Sequence, residues 1–272
     1  MDHHSGTAPW RVVVPVRDPR TGKSRLGAAP ELNTALAHDT VSAALTCAEI
    51  RHLVLVTDDP WWIDRELLLE SRLTLVVHGE PGLNSAVAAG LRHTGLHGAG
   101  QAHPGGRCAV LLGDLPSLRP EDLALALRAA RAIPRGMVSD RHGTGTTLLT
   151  GASHRAHFGP GSAARHRDAG YRELPVPRGS TLRHDVDTPQ DLSDAAHRLG
   201  VSPRTRRALT LSPSTPSPFT HGPSTSIPFT QGPPAQAPLT PSADAGAGAP
   251  AAPMTAPMAA HARLASTAEV FA

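Results

Sequence analysis

Short runs of Val and Leu alternate along this chain with longer stretches in which apolar residues recur at helical spacing. Val12 to Val16, Leu53 to Val56, Leu73 to Val77 and Cys108 to Leu112 read as strands. Between and after them, Leu32 to Ala48, Trp61 to Glu70, Asn84 to Leu91 and Glu121 to Ala132 read as helices. The strand runs are apolar almost throughout instead of alternating, which is the pattern of strands covered on both faces. A βαβα rhythm built from such strands predicts an α/β fold, a mixed and mainly parallel sheet with helices on both faces. The pattern changes beyond Ala132. Met137 to Asp140, Thr146 to Thr150, Tyr171 to Val176 and Leu182 to Val186 are short strands broken by Gly and Pro, and they predict an antiparallel addition that covers the site.

In a sheet of this kind ligands bind beyond the carboxyl ends of the parallel strands, and the polar loops of this chain fall there. Asp114 follows the apolar run Val110-Leu111-Leu112-Gly113, while Asp185 and Asp187 stand two apart in His184-Asp185-Val186-Asp187-Thr188-Pro189. In an extended segment both of the latter project from one face. The next helix start supplies its own caps, Thr188 as N-cap with Pro189 and Asp191 behind it, so Asp185 and Asp187 have no capping duty. Three carboxylates at strand ends repel one another unless a cation neutralises them, and oxygen ligands on rigid supports suit Mg²⁺ shared with phosphates.

Four further loops have the chemistry of anion sites. Lys23-Ser24-Arg25 follows the first strand; the P-loop pattern is not met, since Arg17 stands where its first glycine belongs, but Lys23 and Arg25 offer a point charge and a fork for a triphosphate. Gly79 to Asn84 leads into a helix, with Gly82 in the turn and Asn84 near the cap position, where backbone N–H groups could hold a base or a phosphate. Gly143 to Thr147 and Phe158 to Ser162 combine glycines with hydroxyl donors, Ser162 capping a helix from Ala163 to Ala169. They predict a second anion pocket.

Composition narrows the working part of the 272 residues. From about Thr210 the chain is Ser-, Thr-, Pro- and then Ala-rich, too poor in apolar residues to offset its ordering entropy. The expected division is a disordered N-terminus over 1–9, one folded domain over 10–205 and a disordered tail over 206–272. A net charge of +3 without a clustered basic stripe, and with few aromatic residues, suits small anionic substrates and argues against nucleic acid. Cys47 and Cys108 lack metal-type spacing and read as buried thiols. Met1 to Pro9 does not read as a signal peptide and no apolar run reaches membrane-spanning length, so no membrane partner and a cytoplasmic location are expected. His154 and His157 read as surface, and Trp61-Trp62 as packing.

Taken in order, Val14-Pro15-Val16, Lys23-Ser24-Arg25-Leu26, Gly82-Leu83-Asn84, Leu112-Gly113-Asp114-Leu115-Pro116, Gly143 to Leu149, Phe158-Gly159-Pro160-Gly161-Ser162 and Asp185-Val186-Asp187-Thr188-Pro189 resemble the guanylyltransferases of coenzyme F-420 biosynthesis, the CofC/FbiD family. The resemblance spans about residues 10 to 200. It implies a nucleotide-diphospho-sugar-transferase-like, Rossmann-like fold and transfer of GMP from GTP to phosphoenolpyruvate, giving enolpyruvyl-diphospho-5'-guanosine and pyrophosphate. Carried over by position, Thr146, Gly159 and Ser162 would hold phosphoenolpyruvate. Asp114, Asp185 and Asp187 would be the catalytic and metal residues, with Mg²⁺ as cofactor. Lys23, Ser24, Arg25, Gly82 and Asn84 would lie on GTP. Thr144 and Thr147 offer the same hydroxyl as Thr146, so the register there is open, as is the oligomeric state, for which a homodimer is one expectation. Three alternatives stand beside this reading: 2-phospho-L-lactate or 3-phosphoglycerate as acceptor, a metal-dependent glycosyltransferase of the Asp-x-Asp type, and a non-catalytic nucleotide-binding module.

Overall fold

The structure, a computed structural model, describes residues 9–20, 26, 29–94, 107–151 and 156–211. Seven strands form one sheet in the order β3-β2-β1-β4-β6-β5-β7. Its parallel half is β1 (Trp10–Pro15), β2 (Ile50–Thr57), β3 (Leu73–Val77) and β4 (Arg107–Leu111). Helices α1 (Pro30–Thr46), α3 (Leu83–His93) and α4 (Pro120–Ala129) accompany these strands. Val12, Val14, Leu53 and Leu55 point into one core layer, while Val13, Val54, Val56 and Val110 point into the other. Both faces of the central strands are therefore dry, as their unbroken apolar runs require.

β5 (Gly136–Ser139) and β6 (Thr146–Thr150) continue the same sheet antiparallel to β4 and to each other. The addition thus extends the sheet edge, and its last strand, β7 (Arg172–Glu173), pairs parallel with β5. Several expected bounds shift for identifiable reasons. The helix expected over Trp61 to Glu70 is a single turn, α2 (Arg65–Leu68), because the Asp64 carboxylate accepts from the Leu67 N–H and starts it late. Trp62 is buried as packing, but Trp61 is 46% exposed. Its indole N–H donates to Asp18 Oδ1 at 2.7 Å, and the Arg20 guanidinium lies over its ring. The strand expected over Leu182 to Val186 is replaced by a 3-10 turn, Thr181–Arg183, whose Ser180 cap accepts from the Leu182 N–H.

The domain also runs past its expected end at 205. After α6 (Pro189–Asp194), helix α7 (Pro203–Leu211) packs on α1. The buried Thr205 donates its N–H to Asp39 Oδ2 at 3.0 Å, while Ala208 and Leu209 close over a small core that includes Leu32, Leu36 and Val186. Cys47 and Cys108 are free and buried, and burial pushes the Cys108 thiol up to about 12. Among the described residues no helix is long and apolar enough to cross a membrane.

Candidate active site

A cavity of about 660 Å³ opens where the parallel strands end. Its walls come from the β1 exit (Pro15 to Arg17), Thr57 and Asp58 after β2, the Gly79 to Leu83 turn, and Leu112 to Asp114 after β4. Asp187 joins them from far along the chain. Gly113 makes this meeting possible, because a Cβ there would stand 2.5 Å from Val16 Cγ2 and 3.1 Å from the Pro15 carbonyl. The ends of β1 and β4 could not then approach so closely.

The segment carrying Asp185 and Asp187 is pinned to Asp114 through the main chain: the Val186 N–H donates to the Asp114 carbonyl at 3.0 Å. Val186 is fully buried, Asp185 half-buried and Asp187 exposed, so the alternation expected of an extended segment survives although no strand forms. Below it, Thr188 and Asp191 form a reciprocal capping box at the start of α6. Arg141 bridges this helix to the β5–β6 turn, pairing with Asp191 and with Asp194 at 2.9 Å. Arg183, itself 8% exposed, donates to the Ser139 and Val176 carbonyls and to Glu173. These ties leave the acids little freedom to move apart.

Their crowding has an electrostatic signature. Burial, then the charges of Asp114, Asp187 and Asp140, push the Asp185 carboxyl up to about 8. A carboxyl so perturbed lies among like charges in a region poor in water. Among the described residues no three His, Cys, Asp or Glu side chains are gathered closely enough to cage a metal unaided. Asp114, Asp185 and Asp187, expected as the ligands of the ion, do not form such a group.

Beside Asp114, the start of β6 brings in the hydroxyl residues. Leu112 N–H donates to the Thr147 carbonyl at 2.9 Å, which sets Thr146 next to the end of β4. Of the three candidate threonines, Thr147 turns its hydroxyl toward the Val138 carbonyl and Thr144 toward Asp140. Thr146 is the one that meets Ser162, at 3.3 Å between hydroxyl oxygens. Both are 2% exposed and lie outside the lining of the large cavity. Ser162 is not the cap expected from sequence: Gly161, with φ of 71°, occupies that position, and Ser162 is the first residue of α5 (Ser162–Asp168). Gly159 sits in the same turn with φ of 115°.

Asn84 likewise departs from the expected cap position. Gly82 is the N-cap of α3 and lines the cavity, whereas the Asn84 amide exchanges two hydrogen bonds with the Phe158 backbone, at 2.8 and 3.1 Å. It fastens the Phe158 to Ser162 turn to α3. Lys23, Ser24 and Arg25 lie outside the described residues.

Two residues of the site have no warning in the motifs. Asp140 accepts the N–H groups of Thr144 and Gly145 at 2.9 and 2.7 Å, shaping the turn before Thr146, and its charge helps to push the Asp185 carboxyl up. Its spacing from Gly143 and Gly145 is the available clue, that of a side chain closing its own turn. His166 is fully buried against Thr146, and nothing local in the sequence distinguishes it from the other fifteen histidines.

Comparison with known proteins adds independent lines. The chain is 42% identical over 208 residues to the phosphoenolpyruvate guanylyltransferase of Streptomyces scabiei, covering 73% of this chain and 95% of that protein. It is 44% identical over 212 residues to the phosphoenolpyruvate guanylyltransferase of Salinispora arenicola, covering 73% and 92%. No family model matches the chain. Among solved structures, one from Desulfovibrio desulfuricans G20 assigned as a nucleotide-diphospho-sugar transferase superposes with a TM-score of 0.52 at 15% identity, over 74% of this chain and 93% of that one. A likeness at that identity speaks for the fold alone.

Proposed function

This chain belongs to the phosphoenolpyruvate guanylyltransferase family, and from that premise we propose that it transfers GMP from GTP to phosphoenolpyruvate within coenzyme F-420 biosynthesis in the cytoplasm. A phosphate oxygen of phosphoenolpyruvate forms a bond to the α-phosphorus of GTP, and the bond from that phosphorus to the bridging oxygen of the β-phosphate breaks. The products are enolpyruvyl-diphospho-5'-guanosine and pyrophosphate. The attacking oxygen is already ionised at neutral pH, so neither a protein nucleophile nor a general base is required, and catalysis is positioning plus electrostatics.

The observation that carries this reading is the group of acids at the rim of a nucleotide-sized cavity, with Asp185 driven up to about 8 by burial first and then by the charges of its neighbours. Carboxylate oxygens suit a hard divalent cation, and Asp114, Asp185 and Asp187, which form no cage by themselves, would hold Mg²⁺ there together with substrate phosphates and water. Bound at this place, the ion would neutralise the approach of two phosphorylated substrates and the pyrophosphate that leaves. The main chain of the Gly79 to Gly82 turn supports the nucleotide, Arg17 faces the same space, and Lys23, Ser24 and Arg25 are proposed on the triphosphate. Thr146, Ser162 and Gly159, one strand beyond Asp114, are proposed to bind the acceptor.

Purified protein with GTP, Mg²⁺ and, in turn, phosphoenolpyruvate, 2-phospho-L-lactate and 3-phosphoglycerate tests the proposal by pyrophosphate release and product mass. Phosphoenolpyruvate should give the fastest release and the mass of the enolpyruvyl product. A faster reaction with another acceptor would reassign the substrate, and release with none of them would overturn the reading.

A further inference from the structure

The buried histidine behind the hydroxyl pair has its ring orientation written into its contacts. His166 Nε2 lies 3.0 Å from the His157 backbone N–H, which can only donate, so Nε2 is the acceptor and carries no proton. Burial first, then the charges of His157 and Arg165, lower the ring to about 4, and the imidazole is neutral at physiological pH. Its one proton is therefore on Nδ1, which stands 2.9 Å from Thr146 Oγ1. Phe158 and Tyr171 hold the ring edge-on, with centroids 5.2 and 5.5 Å away, and prevent it from turning over.

This tautomer fixes the direction of the hydrogen bonds beyond it. Thr146 must accept from Nδ1–H, so its own proton is released from the ring. Between Thr146 and Ser162, 3.3 Å apart, one hydroxyl can donate to the other, and whichever way that bond runs, one O–H of the pair has no acceptor within it. With the opposite tautomer Thr146 would donate to the ring and Ser162 to Thr146. Both protons would be spent, and the pair would offer an anion only lone pairs.

We propose that His166 is a positioning residue for the acceptor substrate: anchored by the His157 backbone N–H, it sets the polarity of the Thr146–Ser162 pair so that one hydroxyl proton is always available to an anionic oxygen of phosphoenolpyruvate. The inference rests on the assignment of Thr146 and Ser162 to the acceptor, made above. His166 never touches the substrate and exchanges no proton with it.

Two substitutions separate the ring's two bonds. Gln places its amide near the Nε2 position and can keep the bond from His157 while losing the donor to Thr146; Asn reaches the Nδ1 position and does the reverse. His166→Gln should raise KM for phosphoenolpyruvate at least about tenfold, the loss of roughly one hydrogen bond to a charged group, with KM for GTP within about twofold. His166→Asn should keep KM for phosphoenolpyruvate within about threefold while lowering Tm. Equal KM values in the two variants, or Asn the worse of them, would overturn the role and indicate a merely structural histidine. Nitrogen-15 NMR of the wild-type ring supplies a readout free of turnover: an Nδ1–H tautomer is expected, and an Nε2–H tautomer sinks the inference. If the wild-type enzyme turns over phosphoenolpyruvate and these tests fail, only the His166 role falls. If it does not accept phosphoenolpyruvate at all, the acceptor assignment falls and takes this role with it.

Discussion

Replacing Asp185 by Asn should make the metal-free protein more stable while disabling it. The native carboxyl holds its proton up to about pH 8, whereas in the unfolded chain it loses it near 3.8. Between those limits the native state binds more protons than the unfolded state, so this group's contribution to stability is greatest below about pH 4 and declines as pH rises towards 8. At pH 7 the shift corresponds to about 4 kcal/mol at 1.36 kcal/mol per unit. Asp185 is only half-buried, and solvent screening reduces this to roughly 2 kcal/mol. Asn carries no charge and escapes the penalty, which for a folded part of this size is a rise in Tm of about 4 to 8 °C. Thermal unfolding in EDTA at pH 5 and pH 8 is the assay. The gap between variant and wild type should widen with pH, Mg²⁺ should raise the Tm of the wild type and leave the variant unmoved, and turnover of the variant should fall at least about a hundredfold. A variant equal to or less stable than wild type at pH 8 would refute the idea that like charges are forced together here.

Asp114→Asn and Asp187→Asn should each lower turnover by at least about a hundredfold with native circular dichroism; wild-type rates in both would remove them from the metal site. Gly113→Ala inserts a Cβ 2.5 Å from Val16 Cγ2, and chemical denaturation should show a loss of about 1–3 kcal/mol with a reduced rate as Asp114 is displaced. His166 is protonated near 6.5 when unfolded but only near 4 when native, so its contribution is complete above pH 6.5 and is lost as pH falls, by up to roughly 3 kcal/mol. Urea unfolding at pH 7 and pH 4.5 should show that difference in wild type and a smaller one in His166→Asn; equal pH dependence in the two would contradict it.

What could be read from sequence was what is locally determined. The runs Leu73 to Val77 and Thr146 to Thr150 became β3 and β6 with their expected ends, because their apolar content defines both strand and limits. The α6 start was legible because Thr188, Pro189 and Asp191 close their own cap. Errors arose where a distant partner decides. Ser162 is drawn away from capping by Thr146, and Asn84 by the Phe158 backbone. The Leu182 run curls into a 3-10 turn because Arg183 is needed at Ser139 and Glu173. Helix α7 was hidden because only Thr205, Ala208 and Leu209 face inward amid exposed Arg204, Arg206 and Arg207. The acid residues were visible as motifs, but Asp140 and His166 acquire their roles only through contacts made in three dimensions.

The main-chain bond from Val186 to Asp114 joins the last functional segment to the middle of the sheet. Most of the cavity lining comes from the chain up to Asp114, whereas Asp187 arrives with chain synthesised much later. A polypeptide cut ahead of Val186 would thus lose Asp187 from the cavity and, with it, the Val186, Leu192 and Val201 side chains that back α1, so late truncations strike the cleft and its foundation together.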